Sequence, residues 1–148
     1  MSTYTQITYQ IIFATRNRIR ALTQPNRKQL LEHIAGILRN KNCHNYAVNG
    51  VEDHIHICCS LHPSVALADL VKDIKLSTTQ LIKRKNLFPF FECWQEGYGA
   101  FTYSMEARSN VINYILNQEQ HHQSISSMEE ILSQLETHAV EFDPKYLK

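Results

Sequence analysis

The chain has 148 residues, of which 43% are hydrophobic and 20% charged, with a formal net charge of +1. This suits one soluble globular domain, and no apolar run approaches the ~20 residues of a helical membrane span. The opening Met1-Ser2-Thr3-Tyr4 has no charged region leading into an apolar stretch, so no signal peptide is expected and the chain is read as cytoplasmic. Cys43, Cys58, Cys59 and Cys93 form no C-x-x-C pair, which argues against a zinc knuckle. They read as small apolar fillers in a reducing compartment. The net charge hides an asymmetry: residues 1–51 hold seven Lys/Arg against the single acid Glu32, whereas residues 92–148 hold nine acids against three bases. A basic front half suits phosphate binding, but charge alone does not decide it.

Tyr4 to Ala14 alternates and is rich in β-branched and aromatic residues, which predicts a strand. A polar, basic loop follows. Thr23-Gln24-Pro25 then opens a helix in which Leu30, Leu31, Ile34, Ile37 and Leu38 recur at helical spacing to about Asn40. Asn42 to Val48 and Val51 to Leu61 are strand candidates, and Asn49-Gly50 between them signals a hairpin turn. Pro63-Ser64 opens a second helix running to about Lys85. An aromatic loop leads to a short strand from Tyr98 to Tyr103. Ser104 then caps a third helix, expected from Met105 to about His122. Ser124 to Ser127 reads as a linker, and Ser127-Met128-Glu129-Glu130 as the capping box of a last helix. The order β-α-β-β-α-β predicts an α+β, ferredoxin-like antiparallel sheet with helices on one face, followed by C-terminal helices. The expected division is a domain over 1–123 and a helical tail over 124–148.

Two groups of residues carry candidate chemistry. In a strand, side chains at i and i+2 point the same way, so His54 and His56 would leave one face while Ile55 enters the core. Two imidazoles so placed can bind one divalent metal; a pair of ordinary surface histidines is the other reading. Tyr114 and Gln118 lie four apart on a helix and share a face. Tyr114 alone fits the edge of a core equally well, and the Gln118 carbonyl is an oxygen donor able to complete a metal site. Arg16, Arg18 and Arg20 after the first strand, with Lys72, Lys75, Lys83 and Arg84 on the second helix, are the candidate phosphate contacts. Phe88, Phe90, Phe91 and Trp94 suit loop packing better than base stacking. His121 and His122 read as histidines at a helix C-terminus, and His33, His44, His62 and His138 as surface residues.

Taken together, His54-Ile55-His56, Trp94-Gln95-Glu96-Gly97-Tyr98 and Tyr114-Ile115-Leu116-Asn117-Gln118 resemble the IS200/IS605-family Y1 transposases, which carry a His-hydrophobic-His pair and a single tyrosine. The resemblance covers roughly residues 4–122. It implies that Tyr114 is the nucleophile and that His54, His56 and Gln118 hold magnesium or manganese. It also implies a homodimer acting on single-stranded DNA with hairpins near the element ends, with no membrane and no small organic cofactor. Two rivals remain. A histidine-triad-like hydrolase would need a third alternating histidine where Cys58 stands, and a non-catalytic nucleic-acid-binding module could share the fold.

Overall fold

The structure is a computed structural model and describes residues 1–122 and 125–146. Four strands form one antiparallel sheet in the order β2-β3-β1-β4: β1 Thr8–Ala14, β2 His44–Gly50, β3 His54–Ser60 and β4 Gly99–Tyr103. Between them run α1 (Asn26–Asn40) and α2 (Leu67–Lys85). After β4 come α3 (Arg108–Leu116), α4 (Gln118–His121) and α5 (Ser127–Thr137). This is the expected β-α-β-β-α-β order with helices appended. Among the described residues no helix is long and apolar enough to cross a membrane.

The two faces of the sheet follow from strand alternation. Ile11 and Phe13 of β1, with Ile55, Ile57 and Cys59 of β3, pack against Leu30, Ile34 and Leu38 of α1 and Leu70, Ile74 and Leu81 of α2. Trp94 joins this core with its ring edge-on to Phe13, and its indole N–H donates to Thr78 Oγ1 at 2.9 Å. Phe88 is likewise buried and Phe91 is half-buried, whereas Phe90 is exposed. The opposite face carries Gln10, Ile12, His54, His56 and Cys58 and is covered by the C-terminal helices. Val111 and Ile115 of α3 sit on Ala47 and Cys58, and Ile131 and Leu135 of α5 sit on Ile12 and Phe101. Burial raises the Cys58 thiol to about 11 and the Cys59 thiol to about 12, as expected of packing residues.

Several expected boundaries move, each for a local reason. Asn49-Gly50 is not the hairpin turn. Both residues end β2, and the reversal falls at residues 51–53. Gly50 is needed because a Cβ there would meet the His54 carbonyl oxygen and Ile55 Cδ1, each at 2.7 Å. Asn49 is committed elsewhere, donating to the carbonyls of Ile115 and Leu116 at 2.9 and 3.2 Å. The single helix expected from Met105 to His122 is two, interrupted at Asn117 (φ −100°, ψ 22°). Ser104 caps a turn by accepting from the Ala107 N–H at 3.2 Å, ahead of α3. The α5 N-cap is Ser126, which accepts from the Glu129 N–H at 3.2 Å, so the capping signal read at Ser127 is one residue off. Of the linker expected over 124–127, Ser124 lies outside the described residues.

Gly50→Ala forces the β2–β3 reversal apart against backbone. Its expected cost is about 1–3 kcal/mol of unfolding free energy, read from urea denaturation of the variant beside the wild type.

Candidate active site

The polar centre of the molecule lies where β3 faces α5. His54 and His56, 1% and 0% exposed, project from the same face of β3 with ring centroids 5.0 Å apart. Buried imidazoles need partners, and Glu130 of α5, 3% exposed, supplies them. Its Oε1 lies 3.1 Å from His54 Nε2 and 2.6 Å from His56 Nε2, and its Oε2 lies 3.1 Å from His122 Nε2 and 3.3 Å from His121 Nε2. The Tyr114 hydroxyl donates to Oε2 and lies 3.2 Å from His121 Nε2. The Tyr114 and His56 rings meet edge-on at 5.9 Å. All of these groups belong to one chain.

Each histidine is also held from behind. His54 Nδ1 donates to Asp53 Oδ1 at 2.6 Å, and Asp53 Oδ2 accepts from the Ser127 hydroxyl at 2.9 Å. Arg18 Nη1 donates to that same Ser127 oxygen at 2.9 Å. His56 Nδ1 meets Gln10 Nε2 at 3.1 Å.

The charge states follow from these partners. Burial alone would lower the His54 pKa, but its bonds to Asp53 and Glu130 outweigh that and raise it. Burial dominates at His56 and lowers it to about 4, leaving a neutral ring. Burial would raise Glu130, but hydrogen bonds from His122, His54 and His56 hold it well below the usual carboxylate range. Tyr114 is pushed well above an ordinary phenol by burial and by donating to the Glu130 carboxylate, so its hydroxyl keeps its proton.

The donor set suits a divalent cation. One ligand atom from each of His54, His56, His122 and Glu130 lies within 4.8 Å of every other. Gln118 is fully buried, and its side-chain Oε1 has no hydrogen-bond partner, while its Nε2 donates to the Tyr114 carbonyl at 3.3 Å. A buried carbonyl oxygen without a donor is costly unless something else meets it. Imidazole nitrogens with a carboxylate oxygen form a mixed set of the kind that holds a divalent metal.

The matching family profile is that described as transposase, IS200-like, which spans residues 3–118. The chain belongs to this family. Two solved structures share the transposase's fold. One is a protein of Deinococcus radiodurans assigned provisionally as a transposase, at 22% identity and TM-score 0.61, with 80% of this chain and 95% of that one covered. The other is a REP-associated tyrosine transposase bound to a REP hairpin, at 20% identity and TM-score 0.62, with 84% of this chain and 76% of that one covered. No functionally curated protein matches significantly.

In this transposase the structure brings together His54, His56 and Tyr114 of the residues singled out in sequence, while Gln118 meets the Tyr114 backbone carbonyl. It adds three that sequence reasoning passed over. His122, read as a helix-end residue, faces His54 with ring centroids 4.5 Å apart. His121 contacts Tyr114, and Glu130, read as a capping side chain, is the centre of the cluster. A pair of adjacent histidines following Y-x-x-x-Q, before a buried-type acid on an amphipathic helix, was the only available signal. His138 is not a plain surface residue either: it stacks on Phe101 at 4.5 Å and meets the Tyr103 hydroxyl at 3.1 Å.

The seven basic candidates divide. Arg16, Arg20, Lys72, Lys83 and Arg84 are exposed. Lys75 donates to the carbonyls of Gln95 and Gly97 at 2.9 and 2.5 Å, bracing the loop before β4, and Arg18 braces Ser127. Arg20 also lines a cleft with Asp53, His122 and Ser127 that opens beside the cluster.

Replacing Glu130 by Gln removes one of the two carboxylates that answer His54. In protein stripped with EDTA, this buried pair loses one partner, and the expected cost is about 3–5 kcal/mol of unfolding free energy by urea denaturation.

Proposed function

We propose that this transposase cuts and rejoins single-stranded DNA at hairpin-marked ends, with Tyr114 as nucleophile. The observation that carries the reading is the Tyr114 hydroxyl lying on the His54–His56–Glu130 cluster of its own chain. The Tyr114 oxygen attacks the scissile phosphorus, forming a tyrosyl O–P bond as the bond to the 3′ oxygen breaks. The phenolic proton passes to His121 Nε2, 3.2 Å from the hydroxyl. The departing 3′ oxygen takes up a proton as a free 3′-OH, and the 5′ end stays on Tyr114. A second 3′-OH reverses the step and restores the tyrosine, so the covalent link conserves the phosphodiester bond between cutting and joining.

His54, His56 and Gln118 are the proposed holders of magnesium or manganese, and Glu130 and His122 are placed to join them. Such an ion, when bound, would neutralise charge on the scissile phosphate. Asp53 and Gln10 orient the two imidazoles. Arg16, Arg18, Arg20, Lys72, Lys75, Lys83 and Arg84 are proposed to attract the DNA backbone, the five exposed ones most directly. A fold relative solved with a REP hairpin supports a hairpin ligand here. The working unit is proposed to be a cytoplasmic homodimer in which each chain supplies its own tyrosine. Residues 124–148 are proposed as a tail appended to a transposase domain over 1–123.

Tyr114→Phe is expected to abolish the covalent protein–DNA adduct on a hairpin-bearing single strand, seen as a shifted band on a denaturing gel with manganese present, while binding persists. Wild-type protein that binds the strand but forms no adduct would instead be a non-catalytic binding module. Mixing Tyr114→Phe with His54→Ala/His56→Ala chains should not restore the adduct, because an own-chain site gains nothing from its partner; restoration would show sharing between chains.

Arg16→Ala, Lys83→Ala and Arg84→Ala should weaken binding across all sequences. The slope of log affinity against log salt should flatten by about 0.7 for each phosphate no longer neutralised, measured by fluorescence anisotropy.

A further inference from the structure

Gln10 is a fully buried amide on the site face of β1, paired with Cys58 and diagonal to His56 across the β1–β3 ladder. Both ends of its side chain are engaged. Nε2 meets His56 Nδ1 at 3.1 Å, and Oε1 accepts from the Tyr103 hydroxyl at 2.8 Å. Tyr103 in turn lies 3.2 Å from Gln134 Oε1 and 3.1 Å from His138 Nε2.

A neutral imidazole has one donor and one acceptor nitrogen. When the Gln10 amide donates to Nδ1, the His56 proton must sit on Nε2, where it points at Glu130 Oε1 at 2.6 Å. In that tautomer Nε2 has no lone pair for a cation. Turning the Gln10 amide over puts Oε1 against Nδ1, which then carries the proton and leaves the Nε2 lone pair open. The chain of bonds closes in this orientation too. The Gln10 NH2 donates to the Tyr103 oxygen, and the Tyr103 hydrogen goes to Gln134 Oε1. A buried amide bonded at both ends by groups that can exchange donor and acceptor roles is thus compatible with either tautomer.

We infer that Gln10 is a positioning residue whose amide orientation selects the His56 tautomer and so determines whether His56 can ligate a divalent cation. Tyr103 and Gln134 absorb the reversal. The role differs from that of Asp53 behind His54, since a carboxylate only accepts and holds its imidazole in one sense. The inference rests on the metal-holding role proposed for His56.

The test uses full-length protein labelled with 15N at histidine, at one fixed neutral pH. Long-range 1H–15N correlations report which His56 nitrogen carries the proton, first without metal and then with Zn2+ as a diamagnetic probe. Mn2+ affinity comes from the electron paramagnetic resonance signal of the free ion. Wild type should show the proton on Nε2 without metal and on Nδ1 with Zn2+. Gln10→Glu, which can only accept, should place a proton on Nδ1 even without metal and retain Mn2+ binding. Gln10→Leu should weaken Mn2+ binding roughly 10- to 100-fold, and Tyr103→Phe should weaken it less. Tyr103→Phe keeps the question decidable should the leucine variant fail to fold. Unchanged Mn2+ affinity in Gln10→Leu or Tyr103→Phe, or an Nδ1 that stays bare in Gln10→Glu, overturns the inference while leaving the metal site intact. Wild-type protein that binds neither ion at His56 overturns the metal reading itself, and the inference with it.

Discussion

Two imidazoles buried side by side on one strand set the terms for the rest of this structure. The alternation of β3 sends Ile55, Ile57 and Cys59 into the main core and leaves His54, His56 and Cys58 on the other face. An apolar lid over that second face would strand both Nε2 nitrogens, since only the Nδ1 atoms are met from behind by Asp53 and Gln10, at a cost that is a large share of the stability of a small domain. The lid is therefore built in two parts. Over Cys58 it is apolar, through Val111 and Ile115. Over His54 and His56 it is a carboxylate, a tyrosine and two further histidines.

The division explains how α5 is held. Its apolar hold on the sheet is small, Ile131 and Leu135 against Ile12 and Phe101. Leu132 stays 36% exposed despite its place in the hydrophobic pattern. Much of the remaining attachment is polar: Glu130 to the imidazoles, Ser127 between Asp53 and Arg18, and Gln134 to the Tyr103 hydroxyl. The residues that make the site are thus also those that fasten the helix. Its stability and its chemistry are drawn from the same bonds, as in many buried polar networks.

What could be read from the sequence follows the range of the interactions involved. The strand reading of His54-Ile55-His56 depends only on a two-residue period, and it holds. The Tyr114–Gln118 pairing depends on one helical turn, and Gln118 does lie beneath Tyr114, donating to its carbonyl. Glu130 was not legible, because its partners lie 74 and 76 residues away and its own neighbourhood also satisfied a capping pattern. Asn49-Gly50 misled for a related reason. Its turn chemistry is sound locally, but the glycine answers a close backbone approach and the asparagine a helix end 66 residues on.

That helix end also decides whether a cluster can form at all. Had α3 run on unbroken to His122, His121 would share the Tyr114 face but stand roughly 10 Å further along the axis, seven residues at about 1.5 Å each. The chain instead turns at Asn117. The Asn49 amide takes up the carbonyls of Ile115 and Leu116, so those two acceptors are satisfied from β2 rather than by a continuing helical ladder. The redirected turn buries Gln118 and returns His121 to within 3.2 Å of the Tyr114 hydroxyl. It also brings His122 onto Glu130. A side chain on the neighbouring strand, from the residue that pairs with His56 across the ladder, thereby fixes where the tyrosine and the histidines meet.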